Sequence, residues 1–176
     1  MMVCLRPATR ADQPAITALV RSERLKPNGL DWPRFTVAVG EDGALVGAVQ
    51  LRRHPDGSRE LGSFVVAGDA RGRGIGGRLI DVLLKRAHNP SNTPVHMITA
   101  SAHADHYRRW GFRPIEPQQA PDAVRFNYRL GRLARVLSFL RGEPSRPLVI
   151  LERSSSAAHE PAGHPVRVRR RAGAVA

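Results

Sequence analysis

Phe64-Val65-Val66-Ala67-Gly68-Asp69-Ala70-Arg71-Gly72-Arg73-Gly74-Ile75-Gly76-Gly77 carries an apolar run into a cluster of glycines, and the amphipathic segment Arg78 to Ala87 follows at once. A strand that breaks into glycines and then a helix makes an anion cradle. Glycine lets the backbone come close to a ligand, the first amides of the helix have no carbonyl partners, and the helix dipole adds partial positive charge where they converge. The pattern predicts a phosphate-bearing ligand at Arg71 to Gly77.

Gly72, Gly74 and Gly77 also satisfy the dinucleotide pattern G-x-G-x-x-G. That fold requires a parallel strand-helix-strand unit and an acidic residue about 20 residues further on to hold a ribose. The corresponding region reads Val95-His96-Met97-Ile98-Thr99-Ala100, without a carboxylate. A nucleotide triphosphatase loop requires Gly-Lys and then Ser or Thr, whereas Gly77 is followed by Arg78 and Leu79. The residues before the turn point the same way. Phe35–Val39, the turn Glu41-Asp42-Gly43 and Ala44–Leu51 read as a hairpin, His54-Pro55-Asp56-Gly57 as a second turn and Glu60–Val66 as the next strand. Three strands joined by tight turns are antiparallel, unlike a doubly wound nucleotide fold.

The spacing Arg71-x-x-Gly74-x-Gly76 after an antiparallel meander, with Tyr107-Arg108-Arg109-Trp110-Gly111-Phe112 further on, resembles the GNAT superfamily of acyl-CoA-dependent N-acyltransferases over roughly Val3 to Ile115. The resemblance implies an α/β (α+β) fold whose mixed, mostly antiparallel, splayed sheet has helices on both faces. It implies that Arg71, Gly72, Arg73, Gly74, Ile75, Gly76 and Gly77 hold the pyrophosphate of coenzyme A, and that Phe64, Val65 and Val66 run along the pantetheine arm. The backbone of Phe64 and Val66 would pair with its amides and direct an N–H at the thioester carbonyl. Acetyl-CoA is the implied donor, with direct attack by a primary amine and no covalent enzyme intermediate.

Two side chains take catalytic roles under this resemblance. Tyr107 matches the tyrosine that protonates the departing thiolate or orients its sulfur; it reads equally as a core aromatic beside Trp110 and Phe112. Glu60 is the candidate base, because an amine of pKa about 10.4 is neutral in only about one molecule per thousand at pH 7. The other reading of Glu60 is a carboxylate on a solvated strand end. Arginines near the acceptor side suit a small acceptor carrying a carboxylate, such as an amino acid.

Composition bounds the rest. The chain has 176 residues, 41% hydrophobic and 24% charged, enough for one domain with a sizeable core. Its single cysteine, Cys4, read as a core residue of the first strand, permits no intrachain disulfide or multi-cysteine zinc site. His96, His103 and His106 read as strand or helix-surface histidines, and no metal is expected. Met1 to Arg6 leads into polar sequence without an apolar signal core, so a cytoplasmic protein without membrane contact is expected. The formal net charge of +13 suits a phosphate-rich ligand and allows weak non-specific nucleic-acid contact. A basic nucleic-acid-associated protein and a non-catalytic acyl-CoA sensor are the alternatives to an enzyme, acting as a monomer or homodimer.

Thr9 or Asp12 opens a first helix over Ile16, Leu19 and Val20, and Leu25–Pro33 reads as an ordered loop or short helix. Gly74–His88 and Ala102–Trp110 are expected as helices, and Val3–Arg6, Val95–Thr99, Phe112–Ile115 and Leu148–Glu152 as strands. Residues 117–147 depart from the family pattern. Leu130, Leu133, Leu137 and Leu140 recur there at helical spacing, which reads as a helix packed on the core with a solvated arginine face, or as a wall of the acceptor pocket carrying Arg125 or Arg129. The domain is expected to span 1–153, with 154–176 a basic disordered tail that includes Arg167, Arg169, Arg170 and Arg171.

Overall fold

The computed structural model describes residues 2–23, 29–87, 93–140 and 146–154. Apolar runs separated by glycine turns form seven strands: β1 (Val3–Pro7), β2 (Phe35–Gly40), β3 (Leu45–Arg53), β4 (Arg59–Val66), β5 (Val95–Ala100), β6 (Arg113–Ile115) and β7 (Leu148–Arg153). The two hairpin turns close at Gly43 and Gly57, each with φ of 79°, a backbone state that a side chain disfavours. The sheet runs in the order β1-β2-β3-β4-β5-β7-β6. Its neighbours are antiparallel except β4 and β5, which pair in parallel over Arg59–Leu61 and Val95–Met97. Past that short ladder the two strands part, and the sheet is splayed at its centre.

Three α-helices, α1 (Gln13–Ser22), α2 (Ile75–Ala87) and α3 (Asp122–Leu140), cover the sheet. Ile75, Leu79, Ile80, Leu83, Leu84 and Ala87 of α2 are buried against Ala38, Val49, Leu61 and Met97. On the other face Ile16 and Val20 of α1 pack on Phe35, Val37, Ala48 and Val65. Val124 of α3 meets Ile150 on this same side, further along the sheet. Both readings of the first helix start hold in part: Asp12 accepts from the Thr9 amide and hydroxyl at 2.6 and 2.8 Å across a 3₁₀ turn, and α1 then begins with Pro14 in its first turn.

Several expectations are corrected. Ser101–Trp110 is a 3₁₀ helix, because its apolar positions Ala104, Tyr107 and Trp110 recur every third residue and align on one edge at three residues per turn. Leu130, Leu133 and Leu137 of α3 do not meet the core. Phe126, Leu130, Leu133, Val136 and Leu137 are exposed, and the helix docks through Val124, Asn127, Tyr128 and Gly131, where a Cβ would stand 3.0 Å from Leu148. Cys4 is exposed because β1 is an edge strand and this position faces away from α2. The final strand β7 inserts between β5 and β6, a non-local pairing that no local pattern encodes. Of the tail expected at 154–176 only Ser154 is described, and residues 25–28 of the loop or short helix expected at Leu25–Pro33 lie outside the described residues, as does the side chain of Leu140. Among the described residues no helix is long and apolar enough to cross a membrane.

Candidate active site

Where β4 and β5 part, a cleft of about 600 Å³ opens, lined by Leu61–Val66, Met97–Ala100, Arg71, His103, Tyr107, Arg135 and others. The edge of β4 beyond Leu61 has lost its strand partner, so its backbone polar groups face the cleft rather than a ladder. β4 also carries a bulge: Ala48 pairs with Val65 but Gln50 with Gly62, and Ser63 within it has φ of 44°. The bulge re-aims the backbone at the place where Phe64, Val65 and Val66 enter the cleft wall.

The glycine turn stands at the open end of the cleft. Gly72 and Gly74 have φ of 75° and 74°, and α2 starts immediately afterwards at Ile75. A Cβ on Gly76 would lie 3.0 Å from the Phe64 ring, so the helix start and the cleft wall touch at glycine distance. The amides of Ile75, Gly76 and Gly77 open the helix and have no carbonyl within it, the donor set an anion requires. The Arg71 side chain is otherwise engaged: it is ion-paired to Glu23, and its Nε donates to the Val66 carbonyl at 3.1 Å. It ties the end of β4 to α1, and Arg73 is exposed beside it.

Tyr107 is 7% exposed and lines the cleft from the 3₁₀ helix, with Phe112 packed edge-on to it. Burial pushes its phenol up from the ordinary value, against a smaller opposing effect of its hydrogen bond with Thr99. Its helix is fixed by Trp110, whose Nε1 donates to Asp81 at 2.7 Å and whose carbonyl accepts from Arg153 at 2.7 Å. Tyr107 therefore belongs to the core beside Trp110 and Phe112, and it also lines the cleft.

Glu60 is not on a solvated strand end. It is 3% exposed, directly opposite Arg52 in the sheet, and both carboxylate oxygens are occupied. Oε1 accepts from Arg52 at 3.2 Å; Oε2 accepts from Asn127 at 2.8 Å and meets His54 Nε2 at 3.1 Å. Arg52 also reaches Ser63 at 3.1 Å, and Gln50 bonds both Arg52 and Ser63. Glu60 thus sits beneath the junction of β4 and β5 and connects to the cleft wall through Arg52 and Ser63. Sequence reasoning missed Arg52, His54, Ser63 and Asn127; only the Arg52–Glu60 spacing across a tight hairpin carried a signal for one of them.

His103, one turn before Tyr107, lines the cleft as well. At its far side Arg135 donates to the Arg146 carbonyl at 2.8 Å, and the same two residues, with Tyr128, Arg132 and Leu148, border an adjoining hollow of about 560 Å³. Residues 117–147 therefore contribute Arg135 and Arg146 to the cleft wall. Arg125 is ion-paired with Asp122, and Arg129 is exposed.

Residues 21–128, more than half the chain, match a family profile described as an acetyltransferase (GNAT) domain. No curated protein sequence matches the chain significantly. Among solved structures, an N-acetylglutamate synthase from Neisseria gonorrhoeae, complexed with coenzyme A and N-acetyl-glutamate, superposes on 88% of this chain with a TM-score of 0.66 at 20% identity. The chain spans only 35% of that protein's length. Rv2747 from Mycobacterium tuberculosis, solved with CoA, superposes over 86% of this chain and 98% of its own, with a TM-score of 0.63 at 22% identity. A GNAT-family acetyltransferase from Staphylococcus aureus gives a TM-score of 0.64 at 14% identity, over 88% of this chain and 99% of its own.

Proposed function

The chain belongs to the GNAT acetyltransferase family, and on that premise we propose that it transfers an acetyl group from acetyl-CoA directly to the primary amine of a small molecule, an amino acid being the favoured acceptor. The observation that carries this reading is the splayed cleft, which joins a glycine cradle, a partnerless strand edge and a buried tyrosine in one continuous wall. Bound acetyl-CoA supplies the activated acyl thioester. The residues present fit it: positive-φ glycines and the helix amides for the pyrophosphate, and the strand edge at Phe64–Val66, whose Val66 carbonyl Arg71 also reaches, for the amides of the pantetheine arm.

The chain's own groups supply orientation and proton control. The β4 edge and the cradle hold donor and acceptor in one geometry, which replaces a bimolecular encounter. Amides beyond the bulge are fixed donors for a carbonyl oxygen that gains negative charge. Tyr107, raised by burial, keeps its proton at neutral pH and holds it at the hydroxyl for a departing thiolate. Arg135 offers a cation to the acceptor's carboxylate, and the neighbours that are N-acetylglutamate synthases support an acceptor of this class.

Removal of the amine's proton is assigned to Glu60 acting through water. A second reading gives it to His103, because His103 lines the cleft whereas the Glu60 oxygens are already bonded. The pH profile of kcat/KM separates them: loss of the acidic limb in Glu60→Gln supports the first, and in His103→Gln the second. The transferring unit is taken as residues 1–153, cytoplasmic, a monomer or homodimer. Calorimetric titration with acetyl-CoA at moderate salt, followed by thiol release with amino acids and with amines lacking a carboxylate, tests the whole reading. Saturable one-to-one binding with turnover of amino acids is expected. Binding without thiol release on any amine would make the chain an acyl-CoA sensor.

A further inference from the structure

On the sheet face covered by α2, remote from the cleft, Arg34, Arg53 and Arg86 border a cavity of about 290 Å³ together with Pro33, Thr36, Leu51 and Leu83. Three guanidinium groups around one small hollow repel each other unless something negative lies between them. Asp31 gives Arg34 only a loose partner at 3.5 Å, with both side chains about half exposed. Arg86 donates to the Thr36 hydroxyl at 2.7 Å and to the Phe35 carbonyl at 3.3 Å, neutral acceptors that fix its position without cancelling its charge.

A fourth arginine stands behind them. Arg59 lies directly opposite Arg53 across the β3–β4 ladder, so both side chains leave the same face of the sheet. Arg59 is 4% exposed. One guanidinium nitrogen bonds the Ala87 carbonyl at the C-terminal end of α2, where the helix dipole favours a cation. Among the described residues its Nε and Nη2 are buried without a hydrogen-bond partner. Burial and the neighbouring Arg53 both disfavour its charged form. Arg59 does not itself line the cavity, but a buried cation facing Arg53 across the ladder adds to the unmet positive charge on this face, which an anion held by Arg53 would offset.

We propose that the cavity between Arg34, Arg53 and Arg86, backed by Arg59, binds a small oxyanion ligand, a phosphate or carboxylate compound distinct from the coenzyme A at the glycine turn. Planar guanidinium forks match both groups, and the apolar Leu51 and Leu83 leave room for a short carbon skeleton. The test is calorimetric titration of the full chain, first saturated with CoA, using inorganic phosphate in one series and citrate in the other, at constant ionic strength set with chloride. One saturable site is expected for at least one probe, and the better of the two identifies the ligand's chemistry. Arg53→Gln, at an exposed position, should weaken that binding at least tenfold while leaving CoA affinity unchanged. Absence of saturable binding of both probes, or equal affinity in Arg53→Gln, would overturn the proposal. Because CoA binding is read in the same samples, failure of the acetyl-CoA reading is seen separately.

Discussion

Tyr107 is a core residue that also lines the cleft. Its burial pushes the phenol up from the ordinary value, so that it stays protonated at neutral pH. Tyr107→Phe should lower kcat by about 100-fold, the usual scale for a lost general acid, with the calorimetric affinity for acetyl-CoA nearly unchanged; a parallel loss of both would assign the residue to binding. The glycines of the turn act through conformation and space. Gly74 has open surroundings but φ of 74°, whereas Gly76 stands against Phe64. Gly74→Val and Gly76→Val should therefore each abolish measurable acetyl-CoA binding by different routes, backbone strain in the first and a blocked cleft wall in the second. Glu60 was legible as an acid on this strand, but its partners were not. They come from the preceding strand, from the turn after it and from α3, brought together only by the fold.

At the scale of elements, α3 is the part whose sequence misleads. Its leucine repeat is the stronger apolar pattern, yet the helix docks by the weaker face that holds Val124, Asn127, Tyr128 and Gly131. Val124→Ala should cost about 2 kcal/mol through two lost methyl groups and the cavity left behind. Leu133→Ser should change stability by less than about 0.5 kcal/mol, as expected for an exposed site; chemical denaturation of the two variants checks the assignment of faces. The start of α3 is tied to the β3–β4 turn by Asp56, which accepts from the Ala123 amide at 3.0 Å. The Ser58 hydroxyl, then the Ala123 and Ser58 amides, hold the Asp56 carboxyl down to about 2. A depressed folded pKa means that this contribution is fully present above the unfolded value of about 3.9 and is lost as pH falls through the folded one. Asp56→Asn should then be less stable by about 0.5–1 kcal/mol at pH 7, a figure reduced by the exposure of the carboxylate. In urea unfolding the difference should narrow steadily from about pH 4 to about pH 2.

For the whole molecule, the formal net charge of +13 suits the polyanionic substrate proposed above. Acetyl-CoA affinity should fall several-fold between about 50 and about 500 mM salt, because long-range attraction is screened while the cradle contacts persist; an affinity indifferent to salt would confine recognition to the cradle. The glycine turn, the antiparallel meander before it and the α2 stripe were determined by the sequence itself, since each rests on residues within a few positions of one another. The same is true of the family, whose two motifs lie in separate short segments. The insertion of β7 between β5 and β6, the docking face of α3, the burial of Glu60 and the gathering of arginines around the second cavity were decided only by the tertiary structure. Each depends on which distant strand or helix packs beside a residue, and burial, pairing and unmet charge are properties of that neighbourhood rather than of the chain's local pattern.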